Sequence, residues 1–319
     1  MKAAHHPAIE ALPPYEGPAP VGGDADYYGV MYSPRLKMDP QKSYGNSNDN
    51  ELISSFTYES RQTDYPGFNE EYFEHIDLIE SIRTAKDRYV MFELGSNYGR
   101  WGLRAFKYLQ RCGIKDFELV FIEGEPLHFR DLHHHLKLNK VPMNKAKCFE
   151  ALVTGSMGNA PLAVTRPQNP HPRQWRGQGL QRHVTLETLK EPRFTAQPYF
   201  DKTMLFDAKK QEGFLVVPTI TLTSLLQPYS CVDLIDMDIQ GAEADVVEES
   251  IDELNARVRR LHIGTHSREI EARLRAILGQ QGWLGAYDFP NHSINETPYG
   301  ALDFCDGVQS WINPRLTEA

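Results

Sequence analysis

From residue 69 onward, apolar positions along the chain switch repeatedly between helical and strand periods. In NEEYFEHIDLIESIRTAK, Tyr72, Ile76, Ile79 and Ile82 recur at helical spacing, with acids in the first turn where the helix dipole favours them. The strand RYVMFEL follows, then a helix from Arg100 to about Cys112, the strand FELVFIE, the helix PLHFRDLHHHLKLN and the strand KAKCFEALV. The alternation resumes at CVDLIDMDI, with a helix from about Ala242, the strand VRRLHIG, the helix REIEARLRAILGQQG and two short strands around LGAYDF and GALDFC. Apolar strands separated by amphipathic helices predict an α/β fold, a mostly parallel sheet with helices on both faces. Such sheets bind ligands beyond the carboxyl ends of their strands, near the switch in strand order.

Two stretches interrupt this pattern. Residues 1–68 form an N-terminal arm, and its first fifty or so, rich in Pro, Gly, Asp and Asn, read as poorly ordered. Tyr27, Tyr28, Tyr32 and Tyr44 argue that part of the arm packs on the body. Within the 69–319 domain, residues from about 155 to 218 have weak periodicity and read as an inserted lid or binding loop. Arm and insertion together are expected to cover the acceptor side of any site. Arg166, Arg173, Arg176 and Arg182 surround Trp175 in the insertion and read as a solvated loop with one aromatic anchor, because the chain as a whole carries a net charge of −9.

That charge also disfavours nucleic acid and anionic membrane as partners and leaves a small or neutral one. The four cysteines lack metal or disulfide spacing, no apolar run approaches the ~18 residues of a membrane span, and the first twenty residues lack a signal-peptide core; a cytoplasmic setting is expected. His133, His134 and His135 point about 100° apart on a helix, so they cannot share one metal and read as a solvated face. Trp101, Trp283 and Trp311 read as core or cofactor-wall aromatics, Trp311 near the substrate mouth.

Candidate chemistry begins at ELGSNYGRWG. Gly95 and Gly99 follow an apolar strand and open a helix, which permits a tight turn and close approach of a ligand to the backbone. A helix N-terminus alone would suit phosphate, but Glu93 places negative charge there and favours a cationic amine or sulfonium. Glu123 ends the next strand, where nucleoside-binding folds place an acid for ribose hydroxyls. Glu150, near the end of the third strand, could accept from an adenine amino group.

The segments YFEHIDLIESIRTAKDRYVMFELGSNYGRWGLRA, FIEGEPLHFRDLHHHLKLN, TLTSLLQPYSCVDLIDMDIQGAEADVV, LHIGTHSREIEARLRAILGQQGW and FCDGVQSWINP, with DMDIQGAE the most distinctive, resemble the FkbM family of S-adenosylmethionine-dependent methyltransferases over roughly residues 70–315. The resemblance implies a class I methyltransferase fold, a Rossmann-like sheet of seven strands with the last antiparallel, and usually O-methylation of a hydroxyl on a sugar or secondary metabolite. By the same similarity, Glu93, Gly95, Asn97 and Gly99 line the methionine part of S-adenosylmethionine and Glu123 holds its ribose. Where many members read Lys-Ile-Asp-Val-Glu-Gly, this chain has Asp236 for the lysine and Gln240 for the glutamate, while Asp238, Gly241 and Glu243 keep the pattern. Asp236 is counted with the cofactor contacts.

Methyl transfer from a sulfonium asks the protein mainly to align reactants and exclude water. A hydroxyl acceptor also benefits from a base, and the expected pair is His266 to take the proton with Asp238 to orient it. The alternative role for the THSREIE segment is helix capping by Ser267. Asp236, Asp238 and Glu243 could gather magnesium if the two aspartates share a strand face, but they read as ordinary strand-end acids and no metal is expected. The rivals are a nicotinamide-dependent oxidoreductase, for which the G-x-G-x-x-G spacing is missing, and a non-catalytic binding protein with a vestigial pocket. The sequence leaves the oligomeric state open.

Overall fold

The computed structural model describes residues 5–34, 49–164, 179–180 and 184–317. Tyr44, Trp175 and the insertion arginines Arg166, Arg173, Arg176 and Arg182 lie outside these residues. Strands β1 (Tyr89–Leu94), β2 (Phe117–Ile122), β3 (Ala146–Phe149), β4 (Leu234–Met237), β5 (Arg260–Thr265), β6 (Leu284–Phe289) and β7 (Gly307–Ile312) form one sheet in the order β6-β7-β5-β4-β1-β2-β3. Only β7, the last strand of the chain, runs antiparallel to both neighbours. This is the seven-stranded Rossmann-like α/β sheet that the resemblance implies, and its strand order reverses between β1 and β4.

Alternation along the strands assigns the two faces. Tyr89 and Met91 pack with Phe73, Ile76 and Ile79 of α1 (Tyr72–Arg83) and with Leu103 and Phe106 of α2 (Arg100–Cys112). Leu132 and Leu136 of α3 (Pro126–Leu138) join the same cluster. Val90, Phe92 and Leu94 point the other way, toward Val246 and Val247 of α4 (Glu243–Glu249), Leu254 of α5 (Ile251–Arg257) and Leu274 and Leu278 of α6 (Arg268–Gln280). Each such side chain, fully buried, contributes roughly 1.5–3 kcal/mol, so both faces are needed to hold the sheet.

One row on the first face is polar. Cross-strand register sets Glu93 of β1 beside Asp236 of β4, Asp236 beside His262 of β5, and His262 beside Ser310 of β7. All four are buried. Helix α1 lies over the row: Asp77 accepts from Arg260 Nη1 at 2.5 Å, meets His262 Nδ1 at 2.7 Å and accepts from the Ser310 hydroxyl. Burial opposes its charge, but these bonds hold the Asp77 carboxyl below its ordinary range.

Several expectations are corrected. GALDFC does not enter the main sheet; Gly300–Phe304 forms a hairpin with Ser293–Thr297, and GVQSWI supplies β7. Burial explains the assignment, because β7 is covered almost throughout whereas Gly300–Phe304 is largely exposed. Since β7 runs antiparallel, Gly307 and Val308 reach the mouth of the sheet and Trp311 sits at the opposite end, packed in the core beside Leu261. His134 and His135 are buried rather than solvated: His135 lies between the carbonyls of Tyr98 and Met31, each 2.9 Å away, and His134 meets Asp49 at 3.3 Å.

The insertion is not a bare loop. Gly158–Val164, Phe194–Tyr199, Lys202–Asp207 and Glu212–Ile220 pair antiparallel around Leu162, Tyr199, Met204, Phe206, Leu215 and Val217. Its hairpin turns place Phe200 and Gln211 at positive φ (54° and 60°), where sequence reading looks for Gly or Asn. The described part of the arm is likewise ordered. Glu16–Pro20 pairs with Tyr58–Gln62, the Tyr27 hydroxyl donates to Ile9 and Leu12 carbonyls, and Asp26 accepts from Arg104 Nε at 2.9 Å.

Gly95 joins the tips of β1 and β4. It holds φ +77°, and a Cβ there would lie 1.9 Å from the carbonyl oxygen of Asp238. Gly113 has nearly the same φ, +73°, and open space around it. Gly95→Ala should therefore lower stability by roughly 2–4 kcal/mol, from overpacking added to backbone strain. Gly113→Ala should lose only about 1 kcal/mol. Urea unfolding of both variants checks this, and equal losses would show that the β1–β4 contact yields.

Candidate active site

Two cavities meet over the carboxyl ends of β1, β2, β4 and β5. A smaller one of about 70 Å³ lies over β2 and is lined by Glu123, Glu125, His128, Ala151, Leu162 and Ile239 among others. A larger one of about 510 Å³ lies over β1, β4 and β5, with Glu71, Glu74, Trp101, Asp236, His262 and Asp306 in its wall. Gly95, Asn97, Asp238 and Gln240 line both, so the turn after β1 and the loop after β4 form the shared rim.

The turn after β1 is built around Glu123. Its carboxylate accepts from the backbone N–H of Asn97 and of Glu125, each at 2.7 Å, tying the β1 and β2 loops together. Burial raises its pKa. Both oxygens keep lone pairs for a further donor. Asn97 is held at φ 48°, and its Oδ1 and the Ser96 Oγ are buried without a hydrogen-bond partner among the described residues. Gly95 and Gly99 owe their identity first to packing, since a Cβ on Gly99 would lie 2.4 Å from Leu132 Cδ1. Glu125 caps α3 by accepting from His128 N at 2.8 Å and takes the Tyr199 hydroxyl at 2.8 Å, which brings the inserted sheet against the smaller cavity.

Glu93 lines the larger cavity, but its carboxylate is turned to the start of α2, where it accepts from Trp101 N at 3.1 Å and Gly102 N at 2.8 Å. Burial and then the neighbouring Asp236 push it up to about 8. The carboxyl group that the sequence directs at a cationic ligand is thus turned to helical amides. Glu150 stands apart: it is paired with Lys202 at 3.0 Å, is partly exposed, and lines neither cavity. Ala151, the next residue, takes that place in the wall.

Asp238 and His266 do come together, 3.3 Å apart at the tips of β4 and β5. Their surroundings set the two side chains apart. His266 Nδ1 meets Glu243 Oε1 at 2.8 Å while Nε2 faces Asp238 and the Gln240 amide, so both ring nitrogens are engaged. Burial alone would lower the imidazole pKa, yet Asp238 and Glu243 push it up to about 11. Two facing carboxylates favour the protonated ring, which weighs against His266 as the proton acceptor and for a clamp between the β4 loop and α4. Ser267 accepts from Ile270 N at 3.2 Å and caps α6, as the capping alternative holds.

Sequence reading missed Glu74, Asp77 and His262. Glu74 is hydrogen-bonded to Asp236; desolvation and that neighbour push it well above its ordinary value, and burial pushes Asp236 up to about 6. The available signals were two acids at i, i+3 on α1 and a histidine inside the apolar strand VRRLHIG. Neither carries meaning until register puts β5 beside β4.

The His266 clamp makes a signed prediction. Its folded pKa lies above the ordinary ~6.5, so its contribution to stability is complete below about pH 6.5 and is lost as pH rises through the folded value. Ring nitrogen NMR should show both nitrogens protonated from about pH 6 to about pH 9. A neutral ring near pH 7.5 would restore His266 as a base.

A sequence model of the family described as "Methyltransferase FkbM domain" matches residues 93–278. A relative named "Putative methyltransferase", from Jannaschia sp. (strain CCS1), is 28% identical over 252 residues, covering 76% of this chain and 81% of its own. Among solved structures, methyltransferase FkbM from Methylobacillus flagellatus KT aligns with a TM-score of 0.39 at 11% identity, over 70% of this chain and 44% of that one. This chain therefore spans less than half of that protein's length. Precorrin-6y C5,15-methyltransferase from Geobacter metallireducens GS-15 aligns with a TM-score of 0.38 at 10% identity, over 75% and 86% of the two chains. Among the described residues, no helix is long and apolar enough to cross a membrane.

Proposed function

The chain belongs to the FkbM-domain methyltransferases, and from that premise we propose that it uses S-adenosylmethionine to methylate a hydroxyl of a sugar or secondary metabolite. The observation that carries this reading is Glu123, a buried carboxylate with spare acceptor capacity at the tip of β2, on the wall of a slot that opens toward a larger polar cavity. The residues present fit the cofactor. Glu123 would take the ribose hydroxyls, the apolar wall of Ala151, Leu152 and Ile239 would hold the base, and the Ser96 Oγ and Asn97 Oδ1 would gain partners on the methionine side. When bound, S-adenosylmethionine supplies a methyl group on a positively charged sulfur.

The acceptor falls to the larger cavity. Glu70, Glu71 and Asp306 in its wall are acceptors suited to hydroxyl donors, which supports a polyhydroxylated acceptor. With both His266 nitrogens engaged, Asp238 is the group in this reading that receives the hydroxyl proton. It is half-exposed and lines both cavities, and the imidazole and the Gln240 amide hold it in place. Positioning by the two strand-end loops does the rest.

Calorimetry should detect S-adenosylmethionine and S-adenosylhomocysteine but not NAD, and Glu123→Gln should weaken both by at least about 10-fold. Binding of NAD alone would replace this reading with the dinucleotide one. Asp238→Asn should lower turnover by about 100-fold or more while donor affinity changes little. Unchanged turnover would remove Asp238 from proton transfer.

A further inference from the structure

The floor of the larger cavity holds a second constellation. One donor atom each from Glu74, Asp236 and His262 lies within 4.8 Å of the other two. Three ligands held about 2.1 Å from one cation are separated by roughly 3.0–3.6 Å, so side-chain shifts of about 1 Å each would close the set. The three residues come from different elements: α1 supplies Glu74, β4 Asp236 and β5 His262. Cross-strand register holds the last two as direct neighbours. The magnesium trio considered from sequence does not form the same set, because Asp238 lies beyond the end of β4 and Glu243 is turned to His266.

The imidazole provides an independent indication. His262 is buried, with 3% of its surface exposed. Its Nδ1 is held by Asp77 at 2.7 Å and approached by the Ser310 hydroxyl at 3.4 Å. Nε2 makes no hydrogen bond to the described residues, and His262 is part of the cavity wall. A carboxylate that fixes one ring nitrogen so that the other can ligate is the arrangement found behind metal-bound histidines.

We propose that Glu74, Asp236 and His262 bind one divalent first-row cation, with Asp77 orienting the imidazole from behind. Two carboxylates and one imidazole suit manganese or iron better than magnesium, which prefers oxygen alone and keeps its water. Three protein ligands leave positions open toward the cavity. Resting on the methyl-transfer reading, an acceptor hydroxyl bound there would be acidified by the cation acting as a Lewis acid.

The test needs neither donor nor acceptor. Chelator-treated full-length protein is titrated with Mn²⁺, and the free ion is read from its EPR signal. One saturable site per chain is expected. Glu74→Gln and Asp236→Asn should each weaken binding by more than about 10-fold, Asp77→Asn by roughly 10–100-fold through the imidazole, and Asp238→Asn should bind like the parent. Circular dichroism verifies the fold of each variant. Should Asp236→Asn not fold, Glu74→Gln, at a partly buried position in the cavity wall, carries the comparison. No saturable binding up to about 1 mM Mn²⁺, far weaker than typical sensor-range metal sites, would overturn the proposal. Binding left unchanged by Glu74→Gln would overturn it as well. Either result leaves the methyl-transfer reading standing, since calorimetry with S-adenosylmethionine judges that separately.

Discussion

A carboxylate trapped between a sheet and the helix that covers it must be neutralised, hydrogen-bonded or reached by solvent, because its uncompensated burial would cost several kcal/mol. This chain places four of them, Glu74, Asp77, Glu93 and Asp236, along one band under α1. They are answered in three ways. Asp77 gathers Arg260 and His262 from β5 and Ser310 from β7, so it pins the helix to the far half of the sheet. Glu93 caps α2 from β1. Glu74 and Asp236 answer each other, with burial raising the pKa of both. The band holds α1 and α2 in register with the strands, and the larger cavity opens where the compensation is least complete.

The same tips are locked from above. The carbonyl of Asp238 sits where a Gly95 side chain would be, so the β1 turn and the β4 loop approach as closely as backbone allows. His266 then ties the β4 loop to α4 through Asp238 and Glu243. An imidazole engaged at both nitrogens is a firm strut. It fixes the one half-exposed carboxylate that both cavities share, and this rigidity is what an alignment-dominated reaction requires.

What could be read from the sequence follows from the range over which each signal acts. The βα alternation is local, so β1 to β5 and their helices were legible, as were the strand-tip glycines and Glu123. Side-chain direction is not local. Glu93 and Glu150 both end apolar strands, yet one turns to the α2 amides and the other to Lys202. His262 read as part of a strand and nothing more, because its partners Asp77 and Asp236 are 185 and 26 residues away in the chain. The inserted sheet escaped notice for a different reason, its turns being carried by Phe200 and Gln211 in the left-handed region without a glycine to mark them.

The insertion's placement also redistributes the work expected of it. Among the described residues, Leu162 and the Tyr199–Glu125 bond bring it to the Glu123 slot, and none of its residues lines the larger cavity. That wall comes instead from Glu70 and Glu71 ahead of α1 and from Cys305 to Val308 at the start of β7. These two segments are joined directly, since Glu70 accepts from the backbone N–H of Cys305 at 3.0 Å and of Asp306 at 3.3 Å. Under the proposed function, acceptor choice would therefore lie with this short bridged pair, while the larger inserted sheet would serve the nucleoside side. Exposed connecting segments can change sequence without disturbing the sheet, so acceptor preference can vary while the buried band and the strand-tip packing stay as they are.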